Sequence, residues 1–214
     1  MQDFEEIHYI ENLTSHQEET ILLMGNQEWC EKTVVLEFLN RLTINYSENE
    51  LEYVPQKYQP PDVKFRDANF EVTSLLIKRK PDQEAKQRLL KLKQARYLKD
   101  TFIPINWPQK ITFTEIIKLV FLELEKKKNE YPSIKGKNIL DILIDFMEQR
   151  FPHIESDFLI PNDIISQGWR SVSVVISSYA IVLYANSSAP IFLNENERVL
   201  ELSNSLEWRN APKE

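Results

Sequence analysis

Apolar residues recur along this chain at two spacings. From Glu28 to Thr43, Val34, Val35, Phe38, Leu39 and Leu42 return every three or four residues, as one face of an amphipathic helix does. A second helical stripe, Ala85, Leu89, Leu92 and Ala95 with Leu90 and Leu98 at its edges, follows the acidic first turn Pro81-Asp82-Gln83-Glu84 and ends near Lys99. A third runs from a cap at Thr112 or Thr114 through Ile116, Ile117, Val120, Phe121 and Leu124 to Lys128. Ile139 to Arg150 gives a fourth, with Leu140, Leu143, Ile144 and Met147 as its buried face and Phe151-Pro152-His153 as its stop. Strands are predicted at Leu51 to Val54, at Val63 to Arg66 and, after a hairpin turn at Asp67-Ala68, at Phe70 to Ile77. Phe102 to Ile105, Val172 to Ile176 and Tyr179 to Tyr184 read as further strands, the last two separated by Ser177-Ser178. This order predicts an α/β chain with a mixed central sheet flanked by helices. Residues 1–27 form an acidic N-terminal segment, helical or loosely packed, residues 28–202 a single domain, and residues 203–214 a C-terminal tail.

Composition removes several chemistries. Only three glycines occur, Gly25, Gly136 and Gly168, and no glycine-rich phosphate loop can be built from them. The single cysteine, Cys30, excludes an intramolecular disulfide and reads as a packing residue beside Trp29. His8, His16 and His153 have no zinc-ligand spacing, and no serine sits in a GxSxG setting. The amino terminus is unlike a signal peptide and no apolar run reaches membrane-spanning length, so the expected location is cytoplasmic, with no membrane partner. Net charge is −7, but residues 1–31 hold eight acids and no Lys or Arg. Between Lys78 and Lys99, nine basic residues face only Asp82 and Glu84, which makes either a phosphate-binding helix face or a plain solvated one. Lys86, Lys93 and Arg96 on that helix are candidate DNA-backbone contacts, with Lys78 and Arg79 just before it.

The chemistry-bearing pattern is Pro60-Pro61-Asp62-Val63-Lys64-Phe65 followed by Asn69-Phe70-Glu71-Val72-Thr73-Ser74. Two neighbouring strands each carry one carboxylate, and such a pair can hold a hard divalent ion, Mg²⁺ or Mn²⁺, beside a phosphodiester. On a solvent-facing sheet surface Glu71 would instead be an ordinary polar residue. At 100° per residue Glu31 falls near the middle of the apolar face of its helix. An acid there is either a third carboxylate brought to the site or a wet first-turn residue favoured by the helix dipole. Lys64, two residues from Asp62, and Lys80, at the end of the next strand, are the nearest cations for stabilising developing charge. In Trp169-Arg170-Ser171-Val172-Ser173, Trp169 reads as a packing residue and Arg170 as a candidate phosphate contact.

Asp62, Glu71 and the helical Glu31 resemble the metal-binding set of the PD-(D/E)XK, or restriction-endonuclease-like, superfamily. Pro61-Asp62 and Glu71-Val72-Thr73 match its motif except that Thr73 stands where its lysine belongs. The layout also resembles a small bacterial family of unknown function whose members are described as "putative endonuclease". Pro61 to Phe65, the Phe70 to Leu76 strand, Gly168 to Val174, Tyr179 to Ala185 and Ala189 to Leu193 carry that likeness. The resemblance implies a restriction-endonuclease-like fold and a Mg²⁺- or Mn²⁺-dependent endonuclease acting on DNA, with Asp62, Glu71 and Glu31 as ligands. Lys64 or Lys80 would then replace the missing lysine, or the site is inactive. The alternative is a catalytically inactive nuclease-fold module that binds DNA or, through its acidic N-terminal segment, a basic protein. A homodimer would make double-strand cleavage simple, but nothing in the sequence marks a dimer face.

Overall fold

The computed structural model describes residues 4–75, 81–102, 111–131, 137–146, 152–153, 162–176, 179–196 and 201–202. Lys78, Arg79 and Lys80, the rest of the strand predicted from Phe102, the Ser177-Ser178 turn and the 203–214 tail lie outside these residues. The chain divides into two compact units, residues 1–30 with 76–107 and residues 31–75 with 108–214, where the sequence predicted one domain over 28–202. Among the described residues no helix is long and apolar enough to cross a membrane.

In the first unit the acidic segment is a 21-residue helix, α1 (Phe4–Met24), which packs against the basic helix α3 (Pro81–Gln94). Ile10 and Leu92 are buried, and Glu18 pairs with Lys93 at 2.6 Å. The two charge runs thus face each other within one helical pair. Asn26 Oδ1 accepts the Trp29 amide and starts α2 (Gln27–Arg41), and Cys30 Sγ lies 3.5 Å from the Met24 carbonyl, in a packing role.

The second unit is built on a mixed sheet. Its strands are β1 (Leu51–Tyr53), β2 (Val63–Phe65), β3 (Ala68–Ser74), β5 (Asp141–Phe146), β7 (Ser171–Ile176), β8 (Tyr179–Ala185) and β9 (Glu201–Leu202), lying side by side in that order. β3, β5 and β7 run parallel at the centre, and the outer neighbours pair antiparallel. β4 (Ile111–Thr112) and β6 (Pro152–His153) form a separate parallel pair. On one face of the sheet Val35, Phe38 and Leu39 of α2 pack on Val63, Phe65, Phe70 and Leu143. On the other, α4 (Phe113–Glu130) lays Ile116, Val120 and Leu124 over Ile142, Ile144, Val172 and Val174. Thr112 caps α4 in a reciprocal box: its hydroxyl accepts the Glu115 amide at 3.2 Å while the Glu115 carboxylate accepts the Thr112 amide at 2.8 Å. Two short helices, α5 (Asn162–Ile165) and α6 (Ile191–Glu195), complete the unit.

The helix predicted over Ile139 to Arg150 is, through Phe146, strand β5. Leu140, Leu143 and Ile144 have helical spacing only because Ile142 and Phe146 are buried as well: both faces of this central strand are covered, which erases the period-two signature. The turn between β2 and β3 is also shifted, to Arg66-Asp67, because Ala68 is buried and pairs with Phe65. Arg66 takes a left-handed φ of 51° there, and its guanidinium is held by Glu50 at 2.8 Å and the Asn45 carbonyl at 2.7 Å.

At the start of β5, Asp141 is fully buried and saturated with donors. It accepts from Arg170 Nε at 3.0 Å, from Arg170 Nη2, from Ser171 Oγ at 2.8 Å and from the Asn69 amide at 2.8 Å. Arg170 also donates to the Asp67 carbonyl at 3.0 Å. This network ties the beginnings of β3, β5 and β7 together. Removing one partner strands a buried charge, so Arg170→Ala is expected to lower the unfolding free energy by about 3–5 kcal/mol. Urea unfolding checks this, and a loss below roughly 1 kcal/mol would show the pair is only a surface contact.

Candidate active site

Asp62 is fixed by the backbone on both sides before β2 begins. Its amide donates to the Phe70 carbonyl at 2.9 Å and its own carbonyl accepts from the Val54 amide at 2.8 Å. Its carboxylate turns onto β3, where Oδ2 accepts the Val72 amide at 2.8 Å. The register Val63↔Phe70, carried one step back, sets Asp62 beside Glu71. Phe70 and Val72 point into the core on the α2 side, so alternation turns Glu71 to the α4 side of the sheet. Both carboxylates are buried, at 5% and 6% exposure.

The counter-charge comes from α4. Lys127 Nζ sits 2.7 Å from Glu71 Oε1, with both side chains under a tenth exposed. Among the described residues Glu71 Oε2 is buried without a hydrogen-bond partner, though the Tyr131 hydroxyl lies close enough to interact with the Glu71 carboxylate. Tyr131, which follows α4, stacks edge-on against the fully buried Trp169 with centroids 5.8 Å apart, and the Lys127 ammonium is 6.0 Å from the Tyr131 ring centre. Burial, followed by the nearby Glu71 carboxylate, pushes the Tyr131 phenol above its ordinary range, so it stays protonated. Gln167 links this wall back to α4, accepting from Trp169 Nε1 at 3.4 Å and donating to Glu125 at 3.0 Å.

Acid crowds acid here. Burial first, then Glu71 and Glu31, push the Asp62 carboxyl up to about 7, against the opposing pull of the Val72 amide and Lys127. Glu31, half-buried on α2, is therefore within electrostatic reach of Asp62. It does not complete a three-carboxylate metal set: among the described residues no three His, Cys, Asp or Glu side chains stand close enough to hold one ion. The two carboxylates that could hold a divalent ion are Asp62 and Glu71, on paired strands. This suits Mg²⁺, which takes one or two carboxylates and draws its other oxygens from phosphate and water.

Lys64 is half-buried on β2 between Glu52 and Asn69, and Lys127, rather than Lys64, is the ammonium found on Glu71. Lys127 has a legible signal in the sequence. It continues the stripe Ile116, Val120, Leu124 by three residues, and a cation on the packed face of a helix needs a buried partner as much as an acid does. Arg170, predicted as a phosphate contact, is committed to Asp141 and is a structural residue. In the first unit Lys86 and Arg96 are exposed, while Lys93 is engaged by Glu18.

The sign of the Asp62 shift gives a pH test. Its folded value, about 7, lies above the 3.8 of an ordinary Asp, so the folded chain holds the extra proton between these values. Stability therefore falls as pH rises through that window. Asp145, pushed up to about 6 by burial and by Glu37, adds in the same direction. Asp62→Asn is expected to flatten the slope of unfolding free energy against pH between about 5 and 7, leaving the Asp145 part. An unchanged slope in urea titrations of the variant would refute the crowding.

No curated protein matches the chain. A solved structure of a protein of unknown function from Pseudomonas aeruginosa strain PAO1 (PA4535), described as of the monooxygenase superfamily, is similar to it. The identity is 28% and the TM-score 0.58, covering 89% of this chain and 91% of that one. Residues 5–206 match the family described as "Putative endonuclease, protein of unknown function (DUF1780)", and the chain belongs to that family.

Proposed function

We propose that this chain is a metal-dependent endonuclease that hydrolyses phosphodiester bonds in DNA through Asp62, Glu71 and Lys127, in the manner of the PD-(D/E)XK superfamily. The observation that supports this most is the buried juxtaposition of Asp62 and Glu71 on adjacent strands with one ammonium between sheet and helix. The Val72 amide occupies Asp62 Oδ2 and Lys127 occupies Glu71 Oε1. Asp62 and Glu71 would hold Mg²⁺ or Mn²⁺ through what these contacts leave of their carboxylates. The ion, when bound, would polarise the phosphate and lower the pKa of a bound water.

The chain's own residues do the rest. Glu71 holds the Lys127 ammonium in place, and Lys127 neutralises charge that develops on the phosphate oxygens as water attacks phosphorus. Thr73 occupies the sequence position where the superfamily carries its lysine, and Lys127 supplies the same charge from a helix on the sheet's α4 side. Carboxylates and an ammonium are ligands for hard cations and phosphate, so this site is closer to hydrolysis than to the chemistry in the Pseudomonas relative's description. The alternative is a nuclease-fold module without activity that binds DNA or protein. The tight Glu71–Lys127 pair favours it to the extent that Glu71 is then withheld from metal.

Cleavage of plasmid and oligonucleotide DNA with Mg²⁺ or Mn²⁺ tests this directly. Asp62→Ala and Glu71→Gln are each expected to cost about 10²-fold or more in rate, and Lys127→Met a similar factor in kcat. Activity that survives Asp62→Ala would overturn the assignment, and metal-independent DNA binding without cleavage would favour the inactive module. Metal affinity carries a second signature. Asp62 would have to give up its proton to hold the ion, so below pH about 7 the apparent Kd for Mn²⁺ is expected to rise roughly tenfold per pH unit in calorimetry. Asp62→Asn is expected to abolish that dependence.

A further inference from the structure

The loop 55–61, between β1 and Asp62, contains Lys57 and no acid. Its feet are pinned: the Val54 amide donates to the Asp62 carbonyl at 2.8 Å, and the Gln59 side-chain amide reaches the Val54 carbonyl at 3.4 Å. Its crown is a single 3₁₀ turn, Gln56–Tyr58, closed by the Tyr58 amide on the Pro55 carbonyl at 2.7 Å. On that turn Tyr58 is 65% exposed, with the Lys57 ammonium 4.7 Å from its ring centre. Lys64 follows Asp62 by two residues, facing the exposed Glu52 across the strand pair.

We propose that Tyr58 and Lys57 form a subsite for an unpaired nucleotide next to the reacting phosphate, the base stacking on the Tyr58 ring and a backbone phosphate meeting Lys57. The proposal rests on the phosphodiester reading of Asp62 and Glu71. An aromatic ring held out on a short hydrogen-bonded turn beside a cation is what single-stranded nucleic acid binds without sequence preference. Tyr58 stands four positions before Asp62, a chain length of at most about 14 Å, so a strand whose phosphate lies at the carboxylates passes within a few nucleotides of the ring. The base must be unpaired, because in a duplex both of its faces are covered by neighbours.

Binding of a fluorescein-labelled oligodeoxythymidine of about 15 nucleotides, against a hairpin duplex, tests this in the full-length Asp62→Asn protein, which is expected to bind without turning over. Tyr58→Ala is expected to weaken single-strand binding about tenfold, Tyr58→Phe to stay within about twofold, and Lys57→Ala to lower the salt slope by about one. Duplex binding is expected not to respond to Tyr58. An unaltered single-strand affinity in Tyr58→Ala overturns the subsite, as does an equal loss for the duplex or no oligonucleotide binding at all. Tyr58-dependent binding by a protein that never cleaves would uphold the subsite and sink the hydrolytic reading. Asp62-dependent cleavage indifferent to Tyr58 would do the reverse.

Discussion

A strand covered on both faces leaves no place for a charge, and β3 carries one. Glu71 sits where its neighbours across the parallel pairing are Ile142 and, further on, Val172. Burying a lone carboxylate there would cost several kcal/mol, or force it to take a proton. Lys127 removes that penalty, and in doing so it fixes where α4 must end relative to β3. The constraint is spread over two elements 56 residues apart, so strand register, helix length and side-chain chemistry are set together.

The molecule contains a second buried pair, and the contrast separates scaffold from site. Asp141 accepts four hydrogen bonds, from Arg170 twice, from Ser171 and from the Asn69 amide, and no lone pair is left to offer. Among the described residues Glu71 keeps one oxygen without a hydrogen-bond partner, beside an Asp62 whose proton is held to about pH 7. A saturated pair stiffens a fold. An unsaturated one, next to a second acid, is stabilised by any cation that enters, which is the physical content of calling it a candidate site.

Much of the architecture is legible because single faces leave periodic signatures. The α2 stripe, the α4 stripe with its Thr112 cap, and the β2 and β3 alternation around Asp62 and Glu71 appear where the sequence placed them. β5 escapes because a strand buried on both sides carries no alternation, and Leu140, Leu143 and Ile144 then imitate a helix. Arg170 looks like a free cation because its partner, Asp141, is 29 residues away and nothing local announces it. The acidic run of α1 and the basic run of α3 are visible as composition, but their pairing through Glu18 and Lys93 is not.

Under the proposed nuclease function, Thr73 in place of a lysine separates what a linear motif records from what it omits. Charge stabilisation at a phosphate depends on where an ammonium stands, and a chain can deliver it from any element that packs against the site. Residues along a strand alternate faces, so Thr73 shares the Glu71 side, and a lysine there would reach the same space from within β3. Here α4 crosses that side, and a lysine one turn beyond Leu124 brings its ammonium to Glu71 with its stem buried along the helix–sheet contact, which is the charge the proposed function draws on. Rigidity follows from the source: an ammonium on a packed helix, clamped by Glu71 and beside a Tyr131 ring that is itself braced by Trp169, is held more firmly than one at a strand end.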